Sequence, residues 1–167
     1  MKRNAVKFYR SFFSIKEHKT YFCINKKKKM NYPEEMCKPM REDLTSVGFI
    51  EMRTSEEVEE ILNKKEGTVL VMVNSVCGCA AGNARPAVKL AKTFIPKPDV
   101  FATVFAGQDI GAVAKAREYM NPFPPSSPCI ALFQDGKLVH FIERHHIEGR
   151  SSQMIADNLK DAFTQIC

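Results

Sequence analysis

Val69-Leu70-Val71-Met72-Val73-Asn74-Ser75-Val76-Cys77-Gly78-Cys79, running on into Ala80-Ala81-Gly82-Asn83-Ala84-Arg85-Pro86-Ala87-Val88, decides how this chain folds. A short, almost unbroken apolar run reads as a strand covered on both faces, and the alanine-rich stretch after it reads as a helix. The two thiols therefore stand where a buried strand turns into a helix start, at the carboxyl edge of a sheet. Unpaired amide N–H groups and the helix dipole favour an anion at that place. A thiolate is such an anion, so Cys77 is expected to ionise below the usual value of about 8.5, as a nucleophilic or metal-binding sulfur requires.

Upstream, Tyr32-Pro33-Glu34-Glu35 opens a helix with Met36, Met40 and Leu44 at helical spacing, Cys37 beside them and Gly48 near its end. Phe49-Ile50-Glu51-Met52 reads as a short strand, and Thr54 with Glu57 forms a capping-box pattern before Val58, Ile61 and Leu62. Downstream, Pro96 and Pro98 end the helix that follows the thiols, and Pro86 inside it is expected to bend its axis. Val100-Phe101-Ala102-Thr103-Val104-Phe105 is a further buried strand. Asp109 is placed to cap a helix carrying Val113, Ala116 and Met120.

Past the Pro-rich turn 122–128, two apolar segments joined by Asp135-Gly136 make a hairpin. Ser151 or Ser152 starts a last helix with Ile155, Leu159, Ala162, Phe163 and Ile166 facing inward. The order is α-β-α-β-α-β-α-β-β-α. Strands separated by helices are expected to pair in parallel and the hairpin strands antiparallel. The fold class is α/β, a three-layer sandwich with a mixed central sheet and helices on both faces.

The chain has 167 residues, 44% of them hydrophobic, enough for one domain with a real core. Its net charge of +6 misleads, because ten Lys/Arg against Glu17 give residues 1–30 a net +9 and leave residues 31–167 at −3. The folded part therefore offers no general case for nucleic-acid binding. Lys7 and Arg10 interrupt the apolar residues of the tail, which argues against a secretory signal and against a membrane span. Residues 1–30 read as a basic, disordered extension, with Met30 as an alternative start, Cys23 incidental and the domain at 31–167. Six cysteines without an export signal point to a reducing compartment, the cytoplasm.

Four strings carry a resemblance: Asn74 through Pro86, Phe105-Ala106-Gly107-Gln108-Asp109, Pro125-Ser126-Ser127-Pro128, and Ile147-Glu148-Gly149-Arg150. Together, in this order and over residues from about 31 to 167, they resemble the bacilliredoxin family of thioredoxin-like proteins. The resemblance implies a thiol-disulfide oxidoreductase that removes a low-molecular-weight thiol, notably bacillithiol, from mixed disulfides on client proteins. It implies no tightly bound cofactor, a recycling small thiol or reductase as partner, and weak disulfide isomerase activity in some members. By position and by resemblance Cys77 is the nucleophile and Cys79 the resolving thiol.

The same resemblance implies a cis Ser127-Pro128 bond facing Cys77, with main-chain groups of Ser127 free to pair with an extended substrate segment. It also places Gly149 in a loop flanking the redox pair, so that Glu148 and Arg150 line the thiol-donor or substrate groove or form only a solvated, helix-capping turn. Arg85 is open to two readings, a contact for an acidic thiol or a structural role. With one residue between the thiols, their Cα separation is expected near the upper limit for a bridge, giving a strained ring that Gly78 makes possible.

A thiolate metal carrier is the competing function, with Cys77 and Cys79 holding Zn²⁺ or Cu⁺ and Cys129 or a histidine completing the shell. His145 and His146, expected on an extended segment, would point to opposite faces and put at most one at the site. Cys37 and Cys129 read as buried hydrophobes, although Cys129 follows Pro128 and so stands near Cys77 in sequence logic. Cys167 reads as an exposed terminal thiol.

Overall fold

The computed structural model describes residues 31–167, so the reading of the basic extension lies outside the described residues. Within it run α1 (Glu34–Thr45), β1 (Ile50–Glu51), α2 (Ser55–Leu62), β2 (Thr68–Asn74), a π-helical turn (Ala80–Ala84), α3 (Arg85–Ala91), β3 (Val100–Phe105) and α4 (Ile110–Tyr119). The chain closes with β4 (Cys129–Gln134), β5 (Lys137–Ile142), α5 (Arg144–Ile147) and α6 (Ser152–Ile166). The strands form one sheet in the order β1-β3-β2-β4-β5.

Every residue of β2 is buried, because strands flank it on both edges and helices cover both faces. Leu70 and Met72 point to one face, where they pack with α3 and α6 through Val88, Ile155, Leu159 and Phe163. Val69, Val71 and Val73 point to the other and pack with α2 and α4 through Val58, Leu62, Val113 and Ala116. Each fully buried side chain of this size contributes about 1.5–3 kcal/mol. The alternation along a single strand thus builds the two cores of a three-layer sandwich.

Local signals hold where backbone chemistry is decisive. Thr54 and Glu57 form the capping box of α2. Asp135 (φ 52) and Gly136 (φ 75) make the left-handed pair that a two-residue hairpin turn requires. A Cβ on Gly136 would also stand 3.0 Å from the Lys64 carbonyl oxygen.

Four expectations are corrected. First, β1 and β2 run parallel to β3, but β4 runs antiparallel to β2 although α4 precedes it. After α4 the connection from Met120 to Pro128 carries the chain back to the carboxyl edge, where Cys129 pairs with Val73. Second, α1 is rotated by one position: Cys37, Arg41 and Leu44 are buried, while Met36 is exposed. A buried arginine turns that face inward. Its guanidinium donates to Asp109 at 2.7 and 2.9 Å and to Glu51 at 2.6 Å, and it lies 4.9 Å from the centre of the Phe105 ring.

Third, Asp109 stands at the start of α4 without capping it through its side chain, because Arg41 holds the carboxylate. Fourth, His145 and His146 lie in the helical turn α5, not on an extended strand, and their ring centres lie 3.8 Å apart with the planes tilted by 50°. Ile147 drives this turn, since its full burial folds the segment back onto the core.

Candidate active site

Strand β2 ends at Asn74, and the chain reaches Cys77 three residues later at the helix start. Cys77 occupies the capping position. Its carbonyl accepts from Ala80 N–H at 3.1 Å and from Ala81 N–H at 3.2 Å, while its Sγ takes the Ala80 N–H at 3.3 Å. This is the geometry in which serine or aspartate caps a helix, with sulfur in place of oxygen. The Ser75 hydroxyl lies 3.3 Å from the same sulfur. An amide N–H and a hydroxyl at a sulfur are contacts of the kind that favour a thiolate.

Cys79 sits one residue into the first turn and packs against the core beside α3 and α6. Cys77 and Cys79 form a disulfide with a Cα separation of 5.5 Å. That separation is near the commonest value for a bridge, so the expected approach to its upper limit is corrected. The helical first turn draws the two Cα atoms together. Gly78 needs no positive φ, and a Cβ there would meet nothing within 4 Å, so this glycine leaves the approach to the pair open rather than permitting the ring.

Behind Cys77 lies a buried polar network. Asn74 Oδ1 accepts from Ser75 N–H at 2.9 Å and from Arg85 Nη1 at 3.1 Å, and its amide donates to the Met40 carbonyl at 3.0 Å. Arg85 also donates to the Ser75 carbonyl at 3.3 Å and to Asp43 at 2.9 Å, and Lys89 pairs with Asp43 as well. Burial raises the Asp43 carboxyl, but Lys89 and then Arg85 outweigh it and hold it below the usual range. Arg85 is therefore a buried support of the Asn74-Ser75 corner, the structural one of its two readings. The expected bend at Pro86 takes the form of the π turn, in which Arg85 N–H reaches back to the Ala80 carbonyl.

The Ser127–Pro128 bond is cis. Because Cys129 pairs with Val73, this bond lies beside the segment that leads from β2 to Cys77. The Ser127 carbonyl is met by Arg144 Nη1 at 3.4 Å, and the Ser126 hydroxyl accepts the Arg144 N–H at 2.8 Å. Gly149 (φ 72) makes an exposed turn, and the Arg150 carbonyl accepts from the side chain of Asn83 in the π turn. The loop 148–150 thus lies against the redox helix.

The other thiols stand apart from the pair. Cys129 is 1% exposed on the α2/α4 side of the sheet, opposite the core that Cys79 touches, and burial pushes its thiol up to about 12. Burial also raises Cys37. Cys167 lies near Thr68, where β2 begins, a strand's length from Cys77. A metal carrier would need Cys129 or a histidine beside the pair, and among the described residues no three metal-ligating groups come together.

Sequence reading did not single out Ser75, the Asn74 corner, Asn83 or Arg144. Ser75 was legible in principle, two residues before the thiol on an extended approach, but a serine there has many bland uses.

A redox dithiol at the end of the central strand of a mixed sheet, at a helix start and beside a cis-proline loop, defines a thioredoxin-fold thiol-disulfide oxidoreductase. Solved structures agree on the fold: a point-mutant thioredoxin from Halobacterium salinarum matches with a TM-score of 0.51 over 72% of this chain and 91% of its own, at 17% identity. The Fasciola hepatica thioredoxin gives 0.50 over 71% of this chain and 100% of its own, at 20% identity. The family model described as "Disulphide isomerase" matches residues 32–167. A bacilliredoxin of Cytophaga hutchinsonii is 54% identical over 135 residues, 81% of this chain and 99% of its own. One from Salinibacter ruber is 51% identical over 140 residues, 83% of this chain and 82% of its own. The chain belongs to this disulphide isomerase family, the family of the bacilliredoxins.

Proposed function

We propose that the protein removes a low-molecular-weight thiol, bacillithiol first among them, from mixed disulfides on cytoplasmic client proteins. One observation carries the assignment of roles: the Cys77 sulfur receives the Ala80 N–H and lies within reach of the Ser75 hydroxyl, while Cys79 packs against the core.

The Cys77 thiolate attacks the small-thiol sulfur of the mixed disulfide. A bond forms between the two sulfurs, the old bond breaks, and the client sulfur leaves as a thiolate that takes a proton from water. Cys79, losing its own proton, then attacks Cys77 Sγ and expels the small thiol. The product is the Cys77–Cys79 disulfide. Two electrons from further small thiol or from a reductase restore the dithiol. Ser127, Pro128, Gly149 and Arg150 line the groove that receives the client and the small thiol. No step needs a tightly bound cofactor.

A second reading, weak disulfide isomerase activity, is favoured by the description of the family model.

The test mixes reduced protein with clients carrying bacillithiol, glutathione or an internal disulfide and follows intact masses. Release of bacillithiol is expected fastest, and reduction of the internal disulfide slowest. Preference for the internal disulfide over both small thiols would overturn the proposal.

A further inference from the structure

A cleft of about 360 Å³ opens between β5, α5 and α6, rimmed by His140, His146, Arg150 and Asn158 over a floor of Ile142 and Ile155. Its volume suits a small molecule. No carboxylate lines it. Of the nearby acids, Glu143 faces His145 at 3.9 Å, Glu148 binds Arg144 at 2.6 Å, Asp157 accepts from Gln153 at 2.8 Å, and Asp161 lies in the neighbouring groove beyond His140 and Asn158.

The rim offers donors. His146 Nδ1 accepts the Glu143 N–H at 3.4 Å, which makes Nε2 the protonated nitrogen. Asn158 Oδ1 meets His140 Nε2 at 2.8 Å, leaving the Asn158 amide N–H groups to donate. Among the described residues, His146 Nε2, the Asn158 Nδ2 and the Arg150 guanidinium have no partner. Three unused donors and no carboxylate in the lining favour an anion with more than one oxygen acceptor.

One end of the cleft, at Arg150, lies on the side of the redox helix. Arg150 accepts through its carbonyl from Asn83, in the π turn after Cys79. Ile142 and Ile155 belong to the core against which Cys79 packs. We infer that this cleft binds the carboxylate-bearing part of the small thiol while its sulfur reacts at Cys77, an inference that rests on the exchange reaction proposed above. The cleft, rather than the dithiol, then sets which small thiols are preferred.

The experiment titrates the oxidised wild-type protein with S-methylglutathione, which bears carboxylates and cannot exchange, and follows backbone amide shifts. Saturable shifts centred on His140, His146, Arg150 and Asn158 are expected, with at least roughly tenfold weaker binding to the His146→Ala/Arg150→Ala variant. S-methylcysteamine, which lacks carboxylates, is expected to bind at least roughly tenfold more weakly to the wild type. Shifts elsewhere, no saturable binding, or equal affinity in wild type and variant would overturn the inference. Failure of the exchange reaction is seen separately, as absence of thiol transfer from any client in the intact-mass assay.

Discussion

Cys79→Ser protein, mixed in its reduced form with a client carrying a small thiol, is expected to accumulate a one-to-one covalent adduct at Cys77. Cys77→Ser protein is expected to form none, with thiol transfer slowed on the order of a thousandfold or more. The asymmetry follows from the helix start. Only Cys77 has a sulfur that takes a helix N–H, from Ala80 at 3.3 Å, with the Ser75 hydroxyl at 3.3 Å. Cys79 faces the core and is placed to attack a disulfide that already sits on Cys77. Without Cys79 the first exchange proceeds and the second has no nucleophile, so the intermediate persists until outside thiol reaches it. Intact mass reads this directly, and peptide mapping locates the adduct. A Cys79→Ser protein that stays adduct-free, or an adduct on Cys79 in the Cys77→Ser protein, would reverse the roles.

Arg41→Met is expected to cost about 3–5 kcal/mol of stability, the usual penalty for removing one partner of a buried ion pair. In a domain of this size that lowers the melting temperature by on the order of 10 °C. Arg41 is 3% exposed and grips Asp109 with two hydrogen bonds and Glu51 with one. Methionine matches its length and apolar stem but leaves three carboxylates, Asp109, Glu51 and Glu34 at 3.2 Å, without that counter-charge. Burial disfavours the charged guanidinium, yet Asp109 and then Glu51 outweigh it and raise its pKa. Adding Asp109→Asn is expected to recover part of the loss, because the two sites share one interaction. Thermal unfolding of the three variants checks this, and additive losses would contradict it.

The fold was legible where the sequence had a single dominant cause. The run from Val69 to Val73 could be covered only by two layers, and Asp135-Gly136 could make only a tight hairpin turn. The phase of α1 was not legible, because Met36 and Met40 satisfy helical spacing as well as Cys37 and Leu44 do. What decides between them is Arg41, whose partners Glu51 and Asp109 are distant in sequence. A buried charge is recognised by its partners and not by its own neighbours. The same holds for Arg85, whose two readings part only once Asp43 and Asn74 are found on either side of it.

The direction of β4 was hidden for a different reason. Crossover rules fix the hand of strands that return at the same edge, and the connection from Met120 to Pro128 is long enough to return at the other. At the site, the thiols announced themselves through their position, and the cis bond at Pro128 came with the resemblance. Their supports did not. The Ser75 hydroxyl, the Ala80 amide and the Asn83 contact with Arg150 act through where the fold brings them, which residue identity alone does not reveal.

The central claim is that the backbone around Cys77 makes its sulfur the more acidic and reactive one. Alkylation of the reduced protein by iodoacetamide, followed across a pH series and resolved by peptide mass, tests it with the exposed Cys167 thiol as internal reference. Burial raises Cys167, so its rate is expected to climb only at alkaline pH. The Cys77 rate is expected to level off with a midpoint well below about 8.5. A Cys77 profile that climbs in step with Cys167 would contradict the account.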